Sequence, residues 1–253
     1  MDNLMHVVEA RQELEAERSA RVRAEKTIQM KDELLMFVSH ELRTPLSAVV
    51  GWSQLMKRDR SSETLAEGLE VIERSARAQL QIVEQLLDAG QMMTGKLRLE
   101  LRPVQLASVI YAAINTLRPA AIAKEVRLEA IFGPSFEPMH ADAGRLEQVF
   151  RNLISNAIKF TPPGGQIRIL LHETADAAKV TVIDTGLGIA PMYIDRIFDR
   201  FWQADDGAAR RDGLGLGLWI VRQIVELHGG TVRAHSDGIG AGSQFVVTLP
   251  KPL

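Results

Sequence analysis

The sequence has no cysteine, which removes disulfides, thiol catalysis and cysteine-ligated zinc together. No unbroken apolar run approaches the roughly 18 residues that a membrane helix needs. There is no excess of either charge. With 30 Lys+Arg against 32 Asp+Glu the formal net charge is -2, which argues against a dedicated nucleic-acid binder. The N-terminal stretch MDNLMHVVEARQELEAERSARVRAEK is mixed in charge and lacks an apolar h-region, so no signal peptide is predicted. The expected location is the cytoplasm, or the cytoplasmic part of something longer. What is present is ordinary globular material: 253 residues, 46% hydrophobic, enough for one large or two modest domains and too apolar for general disorder.

Three textures follow one another along the chain. Val7, Leu14, Arg21, Ile28, Leu35, Leu42, Val49 and Met56 lie seven apart and all but Arg21 are apolar, the mark of a long helix in a coiled coil or bundle. The companion heptad position is weaker (Ala10, Glu17, Ala24, Lys31, Val38), so the seam before about residue 33 is marginal. After a polar loop over Lys57–Glu63, the residues Leu65, Leu69, Ile72, Ala76, Gln79, Val83, Leu86, Gly90 and Met93 step by four and three along one stripe of a second helix. The short loop predicts antiparallel helices. Two helices cannot cover both stripes alone, and the economical solution is a dimer that forms a four-helix bundle.

From about Thr94 strands and helices mix. LRLELRPV alternates like a strand. Leu106–Lys124, Asp142–Phe160 and Gly213–His228 read as helices. Val126–Phe132, Ile167–His172, Lys179–Ile183, Thr231–Ala234 and Gln244–Leu249 read as strands. Without a strict βαβ rhythm, the expected fold is a mixed-sheet α/β layer, not a doubly wound parallel sheet. The glycine-rich connection Ala204–Gly213 is expected to move.

Several residues carry chemistry. His40, in FVSHELRTPL, falls outside the heptad seam, where a lone surface histidine is usually inert. Its neighbours alter that reading. Glu41 is an adjacent carboxylate, Thr44 shares its helix face at i+4, and Pro45 cannot donate to the carbonyl of Glu41. An exposed imidazole is a competent nucleophile for a phosphoryl group. A carboxylate can hold the proton on one ring nitrogen, and a hydroxyl can position water for the reverse hydrolysis. Farther on, ADAGRLEQVFRNLISNAIKFT puts Leu146, Phe150, Leu153, Ala157 and Phe160 on one helix face and Arg145, Gln148, Asn152, Asn156 and Lys159 on the other. Asparagine oxygens beside a lysine suit Mg²⁺ with phosphates in its shell. VTVIDTGLGIAP runs a strand into Asp184, Gly186 and Gly188. GLGLGLWIV leads through Gly213, Gly215 and Gly217 into a helix, whose N-terminal amides favour phosphate. Neither a Walker A loop nor G-x-G-x-x-G occurs there, since Leu218 stands three after Gly215. GAGSQF, with Gly240, Gly242 and Ser243, precedes the last strand and by itself reads as a hairpin turn.

In this order SHELRTPL, NLISNAIKFT, DTGLGI, IFDRFWQAD, GLGLGL and GSQF resemble the H, N, G1, F, G2 and G3 boxes of sensor histidine kinases, over about residues 30–250. The resemblance implies a signal helix over 1–32, a dimerisation and histidine-phosphotransfer hairpin over 33–94, and a Bergerat-type ATP-binding α/β sandwich over 95–253. It implies that His40 accepts the phosphoryl group, that Glu41 assists, and that Thr44 helps dephosphorylate a partner response regulator. Asn152 and Asn156 would bind Mg²⁺, Lys159 would meet the phosphates of ATP, and Asp184 would recognise adenine. Gly186, Gly188, Gly213, Gly215 and Gly217 would shape the pocket and its lid, with Leu218 and Ser243 beside it, and Phe198 and Phe201 would anchor the lid. Many relatives carry a basic residue where this chain has Gln203, and Arg210 or Arg211 is the expected substitute near the γ-phosphate. The expected partners are a second copy through the hairpin and a receiver domain, with neither nucleic acid nor a membrane segment. An ATPase clamp on the same catalytic fold, a scaffold that takes phosphate from elsewhere, and a phosphatase-dominant protein are the alternatives.

Overall fold

A computed structural model describes residues 38–39, 41–133, 138–174, 176–203 and 214–251. Packing divides the chain into two units, Met1–Val83 and Glu84–Leu253. In the first, residues 41–58 form helix α1, which continues through Pro45, and α2 (Ser62–Met93) begins after a turn of three residues. The turn is shorter than the predicted Lys57–Glu63 loop because its own side chains cap it. The Thr64 hydroxyl donates to Asp59 Oδ2 at 2.6 Å and the Ser61 N–H to Oδ1 at 2.9 Å. These bonds, that from Thr64 first, hold the Asp59 carboxyl below the usual carboxylate range.

The apolar stripe expected on α2 splits into two. Leu42, Val49 and Met56 of α1 are half-buried, as the heptad requires. On α2, however, Gly68, Ser75, Ile82 and Ala89 are the buried positions, one residue before Leu69, Ala76, Val83 and Gly90. Gly68 sets that choice. A Cβ there would lie 3.1 Å from Trp52 Cε3 and within 3 Å of the Met56 side chain, so any larger residue would have to displace Met56 from its seat against α2. Leu69, Leu80, Val83 and Leu87 are left 43–64% exposed along a second stripe.

In the second unit β1 (Arg102–Val104) pairs antiparallel with β3 (Met139–Ala141), a strand with no sequence signal. The predicted strand LRLELRPV shrinks to the three residues of β1 because its partner is only three residues long. The main sheet comprises β2 (Arg127–Phe132), β4 (Gln166–Glu173), β5 (Ala177–Asp184), β6 (Thr231–His235) and β7 (Ser243–Pro250), in the order β2-β4-β5-β7-β6. Only β2–β4 is parallel, so the sheet is mixed, as expected. Helices α3 (Leu106–Ala123), α4 (Ala143–Phe160) and α5 (Gly217–Leu227) pack together on it, α4 touching both α3 and α5.

The core is the apolar face of α4, with Leu146, Val149, Phe150, Leu153 and Ile154 at 0–1% exposure, against Ile167, Ile169, Val180, Val182 and Val247 of the sheet. α3 has the length and apolar composition of a membrane span. Ser108, Asn115, Thr116 and Arg118 interrupt it, and Val109, Ile110, Ala113 and Ile114 are buried in this core. α5 begins at Gly217, four residues after the predicted start, because Gly215 is in the left-handed region at φ 64° and ends the glycine run before a helix can form.

Candidate nucleotide and phosphotransfer site

The site in the second unit is built by α4, the turn after β5, the start of α5 and the start of β7. Asp142 caps α4, accepting from the Arg145 N–H at 3.1 Å. The polar face of α4 then divides. Asp88, at the end of α2, takes Arg145 Nη1 at 2.6 Å and Gln148 Nε2 at 2.5 Å, so the first two polar residues serve a structural tie. Asn152, Asn156 and Lys159, all half-buried, hold the far half of that face. Asn152 Nδ2 donates to the Gly217 carbonyl at 3.3 Å, joining α4 to the first residue of α5 and leaving the asparagine oxygen as its remaining polar atom. Residue 216, which precedes α5, is a leucine and caps nothing, so the first amides of that helix have no side-chain partner from their cap. Lys159 Nζ stands 5.2 Å from the centroid of the Phe160 ring.

Asp184 ends β5 at 5% exposure. Its Oδ1 accepts from the Gly186 N–H at 2.8 Å and the Ser243 N–H at 3.3 Å, and its Oδ2 accepts from the Ser243 hydroxyl. A buried carboxylate needs such donors. Three of its roughly four acceptor sites are used, and the orientation of the group is fixed. Register explains the meeting, since Asp184 lies opposite Ser243 across β5 and β7. Ser243, which by itself read as part of a hairpin turn, is therefore the orienting partner of Asp184. The glycines on either side are needed for close approach. A Cβ on Gly186 would lie 2.6 Å from the Phe160 carbonyl oxygen, and one on Gly242 would strike the Asp184 carbonyl. Ser236, missed in the sequence, holds the same loops by accepting from the Ile189 N–H at 3.0 Å and donating to the Gly242 carbonyl at 2.7 Å.

Phe198 is buried with its ring edge-on to Phe245 at 6.3 Å. Phe201 is half-buried and has φ 58°, unusual for a side chain of that bulk. Gly215 lies directly against it, since an added Cβ would be 2.8 Å from the Phe201 carbonyl carbon and 2.9 Å from the Trp202 oxygen. The F and G2 segments therefore form one packed joint. Leu218 is half-buried in the first turn of α5. Gly188, at φ 71°, packs on the Gly238 carbonyl. Glu41 and Thr44 lie on α1 in the first unit. His40, Arg210, Arg211 and Gly213 lie outside the described residues. Direct bonds thus join Asn152 to Gly217, and separately Asp184 to Gly186 and Ser243.

Known proteins match this arrangement. Residues 30–95 match the His Kinase A (phospho-acceptor) domain, and residues 141–253 match the histidine kinase-, DNA gyrase B- and HSP90-like ATPase family. The circadian input-output histidine kinase CikA of Synechococcus elongatus is 36% identical over 227 residues, 87% of this chain and 30% of that protein. The full-length ShkA structure with AMPPNP superposes with a TM-score of 0.65 at 27% identity, over 88% of this chain and 46% of that one. Histidine kinase ThkA in complex with the response regulator TrrA shares the fold, with a TM-score of 0.66 at 24% identity over 87% of this chain and 61% of that one. The two families occur in the order that defines a class, the two-component transmitters. The chain belongs to the sensor histidine kinases and contains their transmitter core, with an ATP-using catalytic domain. It spans 18–39% of the length of the first curated relatives it matches.

Proposed function

We propose that this chain phosphorylates itself on His40 with ATP and passes the phosphoryl group to an aspartate of a response-regulator receiver domain. The observation that carries the reading is the joint between Asn152 and the Gly217 carbonyl, in the same domain that fixes the buried Asp184. It combines oxygen ligands and uncapped helix amides for the phosphate end with a carboxylate for the exocyclic amine of adenine. Phosphoryl transfer needs little from the protein beyond such positioning and charge neutralisation. The imidazole nitrogen of His40 attacks the γ-phosphorus, the bond to the bridging oxygen breaks, and ADP leaves. Asn152 and Asn156 would hold Mg²⁺, and the freed oxygen of Asn152 suits a hard cation. When bound, that ion neutralises phosphate charge. Arg210 or Arg211 would supply the γ-phosphate cation that Gln203 does not.

The expected working form is a homodimer through the hairpin, in the cytoplasm, with 1–32 as signal helix, 33–94 as hairpin and 95–253 as catalytic domain. Glu41 would orient the imidazole in the forward reaction. Thr44, one turn from His40, supports phosphatase activity on the receiver. The test is autophosphorylation with γ-labelled ATP and Mg²⁺ on the wild type and on His40→Gln. Acid-labile, alkali-stable label that is absent from the variant is expected. Steady ATP turnover without a phosphoprotein would replace this reading with the ATPase clamp.

A further inference from the structure

The last turn of α4 carries Asn156 and Lys159, and its carbonyls pose an accounting problem. A helix leaves its final four C=O groups without intrahelical donors. Here they belong to Ala157, Ile158, Lys159 and Phe160. Thr161 serves the first, through its N–H at 3.0 Å and its hydroxyl at 2.7 Å. The Leu187 N–H, from the loop that follows Asp184, serves the last at 3.1 Å. The middle two would be taken by residues 162 and 163 if the helix continued, but both are proline and have no N–H. A single ammonium replaces both donors. Lys124 Nζ donates to the Ile158 carbonyl at 2.8 Å and to the Lys159 carbonyl at 2.6 Å.

Lys124 comes from a different helix and from none of the six boxes. It is the C-cap of α3, and the backbone is bent to present it. Glu125 stands at φ 57°, with the Val126 N–H bonded to Ala121 O and the Glu125 N–H to Ile122 O, which is a Schellman cap with a non-glycine residue in its left-handed position. A side chain is sterically disfavoured in that position. The turn after α4 is tied to the same place, since the Gly164 N–H donates to Glu125 O and the Arg127 N–H to Gly165 O, each at 2.9 Å. A cation at a helix C-terminus also opposes the negative end of the helix dipole.

We propose that Lys124 is a positioning residue of the nucleotide site. Its ammonium fixes the terminal turn of α4, and through that turn the Mg²⁺ and phosphate groups of Asn156 and Lys159. The inference rests on the nucleotide reading of α4 given above. The two bonds of Lys124 go to the carbonyls of Ile158 and Lys159, whereas the Asp184 carboxylate is held by its own donors from Gly186 and Ser243, so the effect falls first on the phosphate end.

The test is calorimetric titration of the full chain with ADP, once with Mg²⁺ and once in EDTA, at a temperature well below each variant's Tm. Wild type binds ADP tighter with Mg²⁺. Lys124→Met keeps the aliphatic stem and loses the donors, and its affinity for ADP with Mg²⁺ falls about tenfold, the equivalent of roughly 1.4 kcal/mol. Binding in EDTA changes by less than about threefold, and Lys124→Arg, with a fork of donors, restores the Mg²⁺ gain. A Lys124→Met protein that melts earlier but keeps the wild-type gain overturns the proposal and leaves Lys124 a helix cap. If Lys124→Met does not fold, Lys124→Gln, a shorter neutral donor, must show a reduced gain, and an unchanged gain overturns the proposal equally. A wild type that binds no ADP refutes the nucleotide reading itself, a result distinct from the other two.

Discussion

Asp184 is the residue whose environment most narrows what it can do. A carboxylate at 5% exposure receives two backbone N–H groups and a serine hydroxyl, and these converging donors fix its orientation. Asp184→Asn is nearly isosteric yet puts an NH2 group among those donors. It is expected to abolish measurable ATP binding while the protein still melts cooperatively, as calorimetry and a thermal scan would show. Ser243→Ala removes one donor and leaves the carboxylate otherwise held. The loss of one hydrogen bond to a charged group is about 1.5–3 kcal/mol, of which a part reaches the ligand, so a rise in the ATP Kd of about threefold to tenfold is expected. An unchanged Kd would mean that Ser243 orients nothing. The carboxylate itself was legible in the sequence, where a strand running into D-T-G-L-G marks it. Its hydroxyl partner was not, because the two stand 59 positions apart and only strand register brings them opposite one another. Lys124 was hidden for the same reason, lying 34 and 35 positions from the carbonyls it caps.

At the level of elements, glycines of one motif do different work. Gly215 has φ 64° and backbone atoms at 2.8–2.9 Å from where a Cβ would stand. Gly217 opens α5, and its added Cβ would meet nothing nearer than Asn152 Cγ at 3.9 Å, ordinary contact. Gly215→Ala is therefore expected to destabilise the protein by about 2 kcal/mol or more, through left-handed strain and overpacking together. Gly217→Ala should be neutral or stabilising, by up to about 1 kcal/mol, from helix propensity. Chemical denaturation of the two variants separates them, and equal losses would refute the assignment. Periodicity distinguished helices from strands in this domain, because each element buries one face against one core. It erred where pairing decides. β1 is short because its partner is, β3 has no signal of its own, and α5 starts late because Gly215 turns the chain first.

At the scale of the whole molecule, α2 has more apolar surface than one chain can cover. Its expected single stripe became two, one closed by α1 through Gly68, the other open, with Leu69 60%, Leu80 64%, Val83 43% and Leu87 62% exposed. These positions, with Ala76, follow a four-and-three rhythm along one side of the helix, and Leu46 at 52% and Val50 at 48% add an exposed pair on α1. Scattered surface leucines need no explanation, but a continuous helical stripe does. A second copy of the hairpin would cover it, since a two-fold interface sets the same stripe against itself. Leu80→Glu tests this. In a two-fold dimer each substitution counts twice, and every buried leucine contributes about 1.5–3 kcal/mol, so the dimer dissociation constant should rise by two decades or more. Sedimentation velocity at micromolar concentration should then show a monomer for the variant and a dimer for the wild type. Leu80 is far from α4 and the Asp184 loop in sequence and belongs to the other packing unit, so ADP binding should stay within about twofold, the equivalent of about 0.4 kcal/mol. A variant that remains dimeric would place the interface elsewhere and leave the open stripe of α2 to another partner.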